Sequence, residues 1–338
     1  MKLLLVGADY IWSIERYFLK YILEVYPETE LFGVQNLFYD YLDKSIANKI
    51  LNRLGFTQIY HSINTLLLEK IEEFKPECIW VFKGMEVLPA TLLYARRKGI
   101  KLINYNPDSP FIFSGIGSGN KYVTEAIKLY DLHFTYSLEI QQTLRKEYGK
   151  TTEYLPFGFD LDGSDPTKPF DEIVGPCFLG NPDKERAKLI AAANSSGISF
   201  ALYGNNWKEY VSSKKNKIYP AVYGPDFWET LQKYRVQVNV MRMHNLNSHN
   251  MRTFEIPAIG GIELAPETPE HSMFFKNGEE IMLYRNPSEC IDMIRKILHM
   301  SDDEAHSLRS NALNRSDNSG YTYKDRALCA LGSINKCL

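Results

Sequence analysis

"MRTFEIPAIGGIEL", residues 251–264, sets Arg252 and Glu255 at the head of an apolar run and follows them with Pro257 and the pair Gly260-Gly261. Charged residues enter such company when they are paired or bind something. Proline lacks an N–H and is cheapest near a helix start, and threonine is a capping residue. The stretch therefore predicts a helix that Thr253 caps, with Pro257 close to its start. Free N–H groups and the positive dipole end make a helix start a setting for anions. A carboxylate there can accept both hydroxyls of a ribose, and an arginine can fork onto phosphate. Gly260-Gly261 allows close backbone approach at the helix end. The i, i+3 spacing of Arg252 and Glu255 describes a plain surface ion pair equally well.

Outward from this stretch, short apolar runs alternate with helical patterns. Strands are expected at Lys2 to Val6, Glu30 to Gln35, Glu77 to Phe82, Lys101 to Tyr105, Leu132 to Tyr136 and Thr152 to Leu155. Helices are expected at Ile11 to Val25, Ile63 to Phe74 and Pro89 to Lys98. The rhythm breaks at 156–169, where Gly158, Gly163, three aspartates and Pro166 read as a domain linker. It restarts with strands at Cys177 to Gly180, Ser199 to Tyr203, Val236 to Val240, Gly261 to Leu264 and Ile281 to Tyr284. Helices are expected at Lys184 to Ala193, Pro225 to Tyr234, Pro287 to Leu298 and Tyr323 to Asn335. The fold class is α/β: two Rossmann-like, doubly wound domains facing a central cleft that takes the ligand. The expected domains are 1–160 and 170–318, with 319–338 as a C-terminal helix packing back on the first.

With 338 residues the chain is too long for one core. A net charge of −2 gives no case for nucleic acid or a bulk membrane surface, although peripheral membrane contact stays open. Five scattered cysteines without a C-x-x-C pair suggest neither zinc nor a disulfide framework, and fit a reducing cytoplasm. The first residues are too short for a signal segment, and no apolar run reaches the length of a membrane span. The 22 tyrosines and 18 phenylalanines imply thick cores or a sugar-facing cleft. His244, His249 and His271 lack zinc spacing, and "DLD" at 160–162 falls in the linker, so no metal is expected. "GIGSGNK" at 115–121 lacks the phosphate-loop spacing and reads as a lip.

Residues 251–264, followed by "MFFKNGEEIMLYRNPSECIDMIRKIL" at 273–298, resemble the C-terminal half of the spore-maturation-protein type of glycosyltransferases, near the group 1 families of GT-B fold. The matching positions are Arg252, Phe254-Glu255, Ala258, Gly260, Phe275, Gly278 and Tyr284. "CFLGNPDKER" at 177–186 is similar to the family's opening of the second domain, and 81–110 to its first-domain segment ending in Asp108-Ser109-Pro110. Group 1 enzymes carry two glutamates eight positions apart. The second maps to Glu255, and the first falls on Asn247, so that Asn247, Ser248 or His249 would have to replace its hydrogen bonds.

The resemblance implies a glycosyltransferase that takes a nucleotide-diphosphate sugar as co-substrate, with no other cofactor. It would act in polysaccharide or glycoconjugate synthesis on a glycan, lipid-linked or protein acceptor. The second domain would hold the donor: Glu255 the ribose, Arg252 and Arg186 the diphosphate, with N–H groups after Gly180 helping. Positive charge and dipoles aimed at the leaving diphosphate would allow reaction without metal. The first domain would hold the acceptor. Asp108 is the first candidate for a base, and Asp9 and Glu86 also stand at strand ends; Asp9 equally describes a helix cap, and Asp108 a turn residue. The group 1 likeness leans toward retention. An epimerase or hydrolase on the same fold would need a carboxylate pair, which the C-terminal half does not display. A silent nucleotide-sugar-binding protein is a third reading.

Overall fold

The computed structural model describes residues 1–54, 57–113, 117–242 and 247–338. The chain divides into two units, Met1–Pro156 with Tyr323–Leu338, and Phe157–Thr322. The stretch read as a linker is therefore part of the second unit from Phe157 onward.

In the first unit, β1 (Leu3–Gly7), β2 (Thr29–Gly33), β3 (Cys78–Phe82), β4 (Lys101–Asn106), β5 (Leu132–Thr135) and β6 (Thr152–Tyr154) form an all-parallel sheet in the order β2-β1-β3-β4-β5-β6. Strand residues alternate between two buried faces. Leu4, Val6, Ile79, Val81 and Leu102 meet the helix Ile59–Phe74 through Ile63, Leu67 and Ile71. On the other face Trp80 and Phe82 stack with ring centroids 5.0 Å apart, and Phe18 of helix Ile14–Ile22 packs on both. Tyr323, from the terminal helix Tyr323–Cys337, lies 5.7 Å from Phe18 and stacks on Tyr17. Much of the aromatic content of this unit is thus core. Two helices not expected from the sequence, Val34–Asp43 and Ile46–Arg53, follow β2.

In the second unit β7 (Ile173–Leu179), β8 (Ala201–Tyr203), β9 (Lys217–Tyr219), β10 (Tyr234–Val238), β11 (Glu263–Pro266) and β12 (Met282–Tyr284) form a second parallel sheet, ordered β12-β11-β10-β7-β8-β9. The order reverses between β7 and β10, the switch point at which doubly wound folds open a crevice at the carboxyl ends of the strands. Val236, Leu264 and Met282 pack against Ile291, Ile294 and Ile297 of helix Pro287–Leu298. Helix Asp302–Asn318, absent from the sequence reading, adds Ala305 and Leu308 to that core and starts with a Ser301–Glu304 capping box.

Candidate functional site

Arg252–Ala258 is a seven-residue helix that begins at the arginine. Pro257 is inside it, and Thr253 does not cap it. Asn250 does that work: its Oδ1 accepts from the Thr253 N–H at 3.3 Å, while Thr253 Oγ1 accepts from the Asn250 N–H at 3.3 Å. Arg252 and Glu255 sit on the helix itself and pair directly, Nη1 to Oε2. The guanidinium also covers the Phe227 ring at 4.6 Å, and its Nε is buried without a hydrogen bond. Glu255 is only 5% exposed, and burial pushes its carboxyl up against the opposing pull of Arg252. Glu255 is buried while the Arg252 side chain keeps 28% of its surface exposed, so the pair is a partly buried one, which the spacing alone left open.

Beside this helix lies a polar network. Asn239, just past β10, exchanges amide hydrogen bonds with Asn250 at 3.0 and 2.7 Å and donates to Glu263 Oε1 at 2.8 Å. Glu263 is fully buried at the start of β11, its Oε2 has no hydrogen bond, and burial pushes its carboxyl up to about 8. Glu255 adds to that rise, so the C-terminal half does contain a pair of interacting carboxyls eight positions apart. The sequence reading missed it because Glu263 stands inside an apolar strand.

Two of the donor-site candidates, Arg186 and Gly180, are engaged within the second unit. Arg186 is 8% exposed and donates to the carbonyls of Asn181 at 2.9 Å and Val240 at 3.1 Å. Burial pulls it down to about 10, and it clamps the loops after β7 and β10 rather than presenting a free fork. Arg242, exposed and close enough for its charge to be felt by Arg186, was not singled out from the sequence. Gly180 spends its N–H on the Tyr203 carbonyl and its carbonyl on Trp207 Nε1, both at 2.8 Å. Its backbone also crowds Gly204, where a Cβ would clash with the Gly180 oxygen.

Ser248 and His249, expected as replacements for a donor-facing glutamate, both bond to Glu270 inside the second unit. Ser248 Oγ donates to Glu270 at 2.7 Å. His249, wholly buried, meets the same carboxylate at 2.5 Å through Nδ1 and accepts the Phe157 N–H at Nε2, among the rings of Phe157, Phe254 and Phe274. Asn247 is exposed, and His244 lies outside the described residues. Gly260 ends the helix with φ +71° and gives its carbonyl to Arg309 at 2.7 Å, while the close approach belongs to Gly261, where a Cβ would meet Ile256 at 2.8 Å. In the linker triplet Asp160 Oδ1 accepts the Asp162 N–H, an ordinary turn.

The first unit gathers one lysine and three carboxyls past the ends of β1, β3 and β4. Lys83, itself buried and held at φ +60°, donates through Nζ to Asp108 Oδ2 at 2.6 Å and to the Gly117 carbonyl. Glu15, unnoticed in the sequence, accepts the Ala8 N–H at 2.8 Å, and Gly7 has no room for a Cβ because Glu15 Oε1 would stand 2.4 Å from it. Glu86 is 3% exposed and its Oε2 has no hydrogen bond. Burial pushes both Glu15 and Glu86 up to about 7, each against the pull of Lys83. The charge of Glu86 is felt by Tyr10, Tyr39 and Tyr60. Asp9 does not cap its helix, whose N-cap is Ser13; it pairs with Arg16 at 2.7 Å on the surface. Of the "GIGSGNK" stretch, Gly115 and Ile116 lie outside the described residues, and Asn120 caps helix Lys121–Ala126 and donates to the Met85 carbonyl at 2.8 Å.

Among the described residues, no group of three or more His, Cys, Asp or Glu could hold a metal ion, and no helix is long and apolar enough to cross a membrane. Residues 185–331 match the family model described as glycosyl transferase-like. No curated protein matches the chain. HepE of Anabaena in complex with UDP-glucose is similar with a TM-score of 0.70 at 12% identity, covering 99% of this chain and 100% of that one. The trehalose 6-phosphate synthase of Burkholderia multivorans gives 0.65 at 12%, covering 99% and 98%. A Listeria monocytogenes protein assigned as a UDP-N-acetylglucosamine 2-epimerase gives 0.61 at 13%, covering 99% and 96%. These likenesses fix the fold as GT-B, one that serves more than one reaction.

Proposed function

We propose that the chain, whose residues 185–331 match the glycosyl transferase-like family model, moves a sugar from a nucleotide-diphosphate sugar to an acceptor hydroxyl without a metal ion. The observation that carries this reading is the partly buried Arg252–Glu255 pair following β10, beside the switch of its sheet. Glu255 takes the ribose hydroxyls. Arg252, freed in part from Glu255 when the ribose arrives, turns its unsatisfied Nε toward the diphosphate, and Arg242 adds charge. Fixed cations aimed at the leaving diphosphate do the electrostatic work that a metal does elsewhere. Arg186 keeps the two loops in register instead of touching the donor.

In the step itself the acceptor oxygen bonds to the anomeric carbon, the bond from that carbon to the diphosphate breaks, and the electron pair leaves with the diphosphate. Glu86 is the better acceptor-side group than Asp108, because Lys83 already occupies Asp108 whereas Glu86 keeps one oxygen unengaged. Ionised, Glu86 accepts the hydrogen bond of the attacking hydroxyl and draws its proton. Glu263 is wholly buried and bonded to Asn239, a supporting position rather than a sugar-facing one. The acceptor is a glycan, lipid-linked or protein hydroxyl, and the work belongs to glycoconjugate or polysaccharide synthesis in the cytoplasm, where nucleotide sugars are made.

The test is thermal shift of wild type and Glu255→Ala with UDP, GDP, dTDP, ADP and CMP, each with and without EDTA. UDP comes first, because HepE is seen with UDP and with UDP-glucose. One diphosphate should raise Tm of the wild type by mass action, ignore EDTA and fail on the variant. Equal response of wild type and variant would sink the donor assignment, and a response abolished by EDTA would sink metal independence.

A further inference from the structure

Helix Ile46–Arg53 in the first unit is inside out. It buries no residue. Ile46, Ile50, Leu51 and, just past its end, Leu54 are 78%, 53%, 41% and 62% exposed. Its half-buried positions are instead the polar Asn48 and Asn52, and Asn48 Nδ2 donates to the Tyr41 carbonyl at 2.7 Å. At 3.6 residues per turn Ile46, Ile50 and Leu54 make one stripe, with Leu51 widening it. Leaving such a stripe in water is the mark of a surface that something covers.

Charge says what covers it. Lys44, Lys49 and Arg53 flank the stripe, and no acid occurs from Lys44 to Leu68, in a chain whose net charge is −2. The nearest acid, Asp43, is already engaged by Lys49 at 2.9 Å. The loop before the first helix adds Ile11, 72% exposed, and Trp12, 50% exposed. Tyr10, stacked on Trp12 at 5.3 Å, feels the charges of Asp40 and Asp43, so this loop borders the same corner. With Lys49 paired to Asp43, Lys44 and Arg53 remain as the cations beside the stripe, and a second copy docked by the same face would bring them against their own copies. An anionic bilayer satisfies both features at once: the aliphatic stripe enters the headgroup boundary, the long cations stay at its surface, and a tryptophan sits at the interface.

We propose that helix Ile46–Arg53, with Leu54 and the Tyr10–Trp12 loop, is a docking surface for an anionic lipid bilayer. The enzyme then works on acceptors presented at a membrane, while no helix among the described residues is long and apolar enough to cross one. The proposal does not depend on which nucleotide the second unit binds.

The experiment is flotation of the full chain with vesicles of phosphatidylcholine alone and of phosphatidylcholine mixed with phosphatidylglycerol. The wild type should float with the anionic vesicles, fail with neutral ones, and be released by high salt. Ile50→Asn combined with Leu54→Asn should abolish flotation without changing Tm, since both residues are solvent-exposed. Arg53→Gln should weaken partition about five-fold. Absence of flotation with anionic vesicles, or equal flotation of the double variant, would overturn the proposal. So would a wild-type dimer in sedimentation that the double variant dissolves, because the face would then belong to a second copy.

Discussion

The two units bury acidic groups beside their sheets in different ways. In the second unit Glu255 is buried against a guanidinium that pairs with it, while Glu263, bonded to an amide through one oxygen, is raised like the carboxyls of the first unit. In the first unit the cation Lys83 is bound to Asp108, and Glu15 and Glu86 are buried near it with their proton affinity raised toward neutrality. The Arg252–Glu255 arrangement suits holding a ligand of fixed charge. That of the first unit suits a group that changes charge during a reaction. The comparison makes one demand: breaking the pair in the second unit should chiefly cost stability and binding, whereas neutralising a carboxyl in the first should cost activity and spare stability.

The largest effect is expected from Arg252→Ala. It strands the Glu255 carboxylate in a site 5% exposed, which costs about 3–5 kcal/mol for a broken buried pair. Urea unfolding at pH 7 measures it. The loss should shrink as pH falls, because burial already favours protonated Glu255. Replacing both residues, Arg252→Met with Glu255→Leu, should restore most of the stability but none of the nucleotide response. A loss under about 1 kcal/mol for the single change would mean the pair behaves as a solvated one, and the contrast between the units would fail.

Next comes Glu86→Gln. It should lower kcat/KM toward the acceptor about 100-fold, the lower end for a lost proton-transfer group, and flatten the rise in activity through pH 7. Its stability effect has the opposite sign. The folded carboxyl titrates at about 7 against an ordinary 4.5, so its contribution to stability is complete below 4.5 and is lost as pH rises through 7. The amide carries no charge to bury, so the variant should be at least as stable as wild type at pH 8. Loss of activity together with loss of stability would instead assign Glu86 to the core.

The fold was legible because parallel strands buried on both faces leave apolar runs that end in turn residues, as in Lys2 to Val6 and Glu77 to Phe82. The helices that escaped notice hide their pattern. Ile46–Arg53 carries its apolar stripe outward, and Asp302–Asn318 is polar along most of its length. Of the site, Arg252 and Glu255 were legible because charge interrupts an apolar segment. The contacts of Arg186, Ser248 and His249 were not legible because sequence shows residue type but not which carbonyl or carboxylate a side chain meets. Glu15 gave no local sign at all, since its partner is the backbone of Ala8 and its constraint is the missing Cβ of Gly7.

A smaller effect is expected at Glu263. Its folded carboxyl sits near 8, so stability present below 4.5 is lost between 4.5 and 8 as the buried group is forced to ionise. Glu263→Gln should therefore match wild type at pH 4 and exceed it at pH 9 by about 1–2 kcal/mol, less than a rigid site would give because the surroundings relax. The same variant should keep its nucleotide response, since Glu263 supports Asn239 and touches no ligand. A lost response would place the buried network in the donor site itself and sharpen the picture of the second unit.

The smallest effect is expected at Asp9, and it is the one that separates position from chemistry. Asp9 stands at the end of β1, where the fold puts ligands, and was a candidate base for that reason. Its side chain is 36% exposed, and it pairs with an Arg16 that is 47% exposed. Such pairs contribute about 0–1 kcal/mol and their carboxylates remain solvated. Its N–H, held by Asn36 at 2.7 Å, survives any side-chain change. Asp9→Ala should therefore shift stability by less than about 0.5 kcal/mol and kcat by less than about two-fold, measured beside Glu86→Gln in one assay. If Asp9→Ala proves the more damaging of the two, strand-end position outweighs burial in choosing the group that meets the acceptor, and the role assigned to Glu86 passes to Asp9.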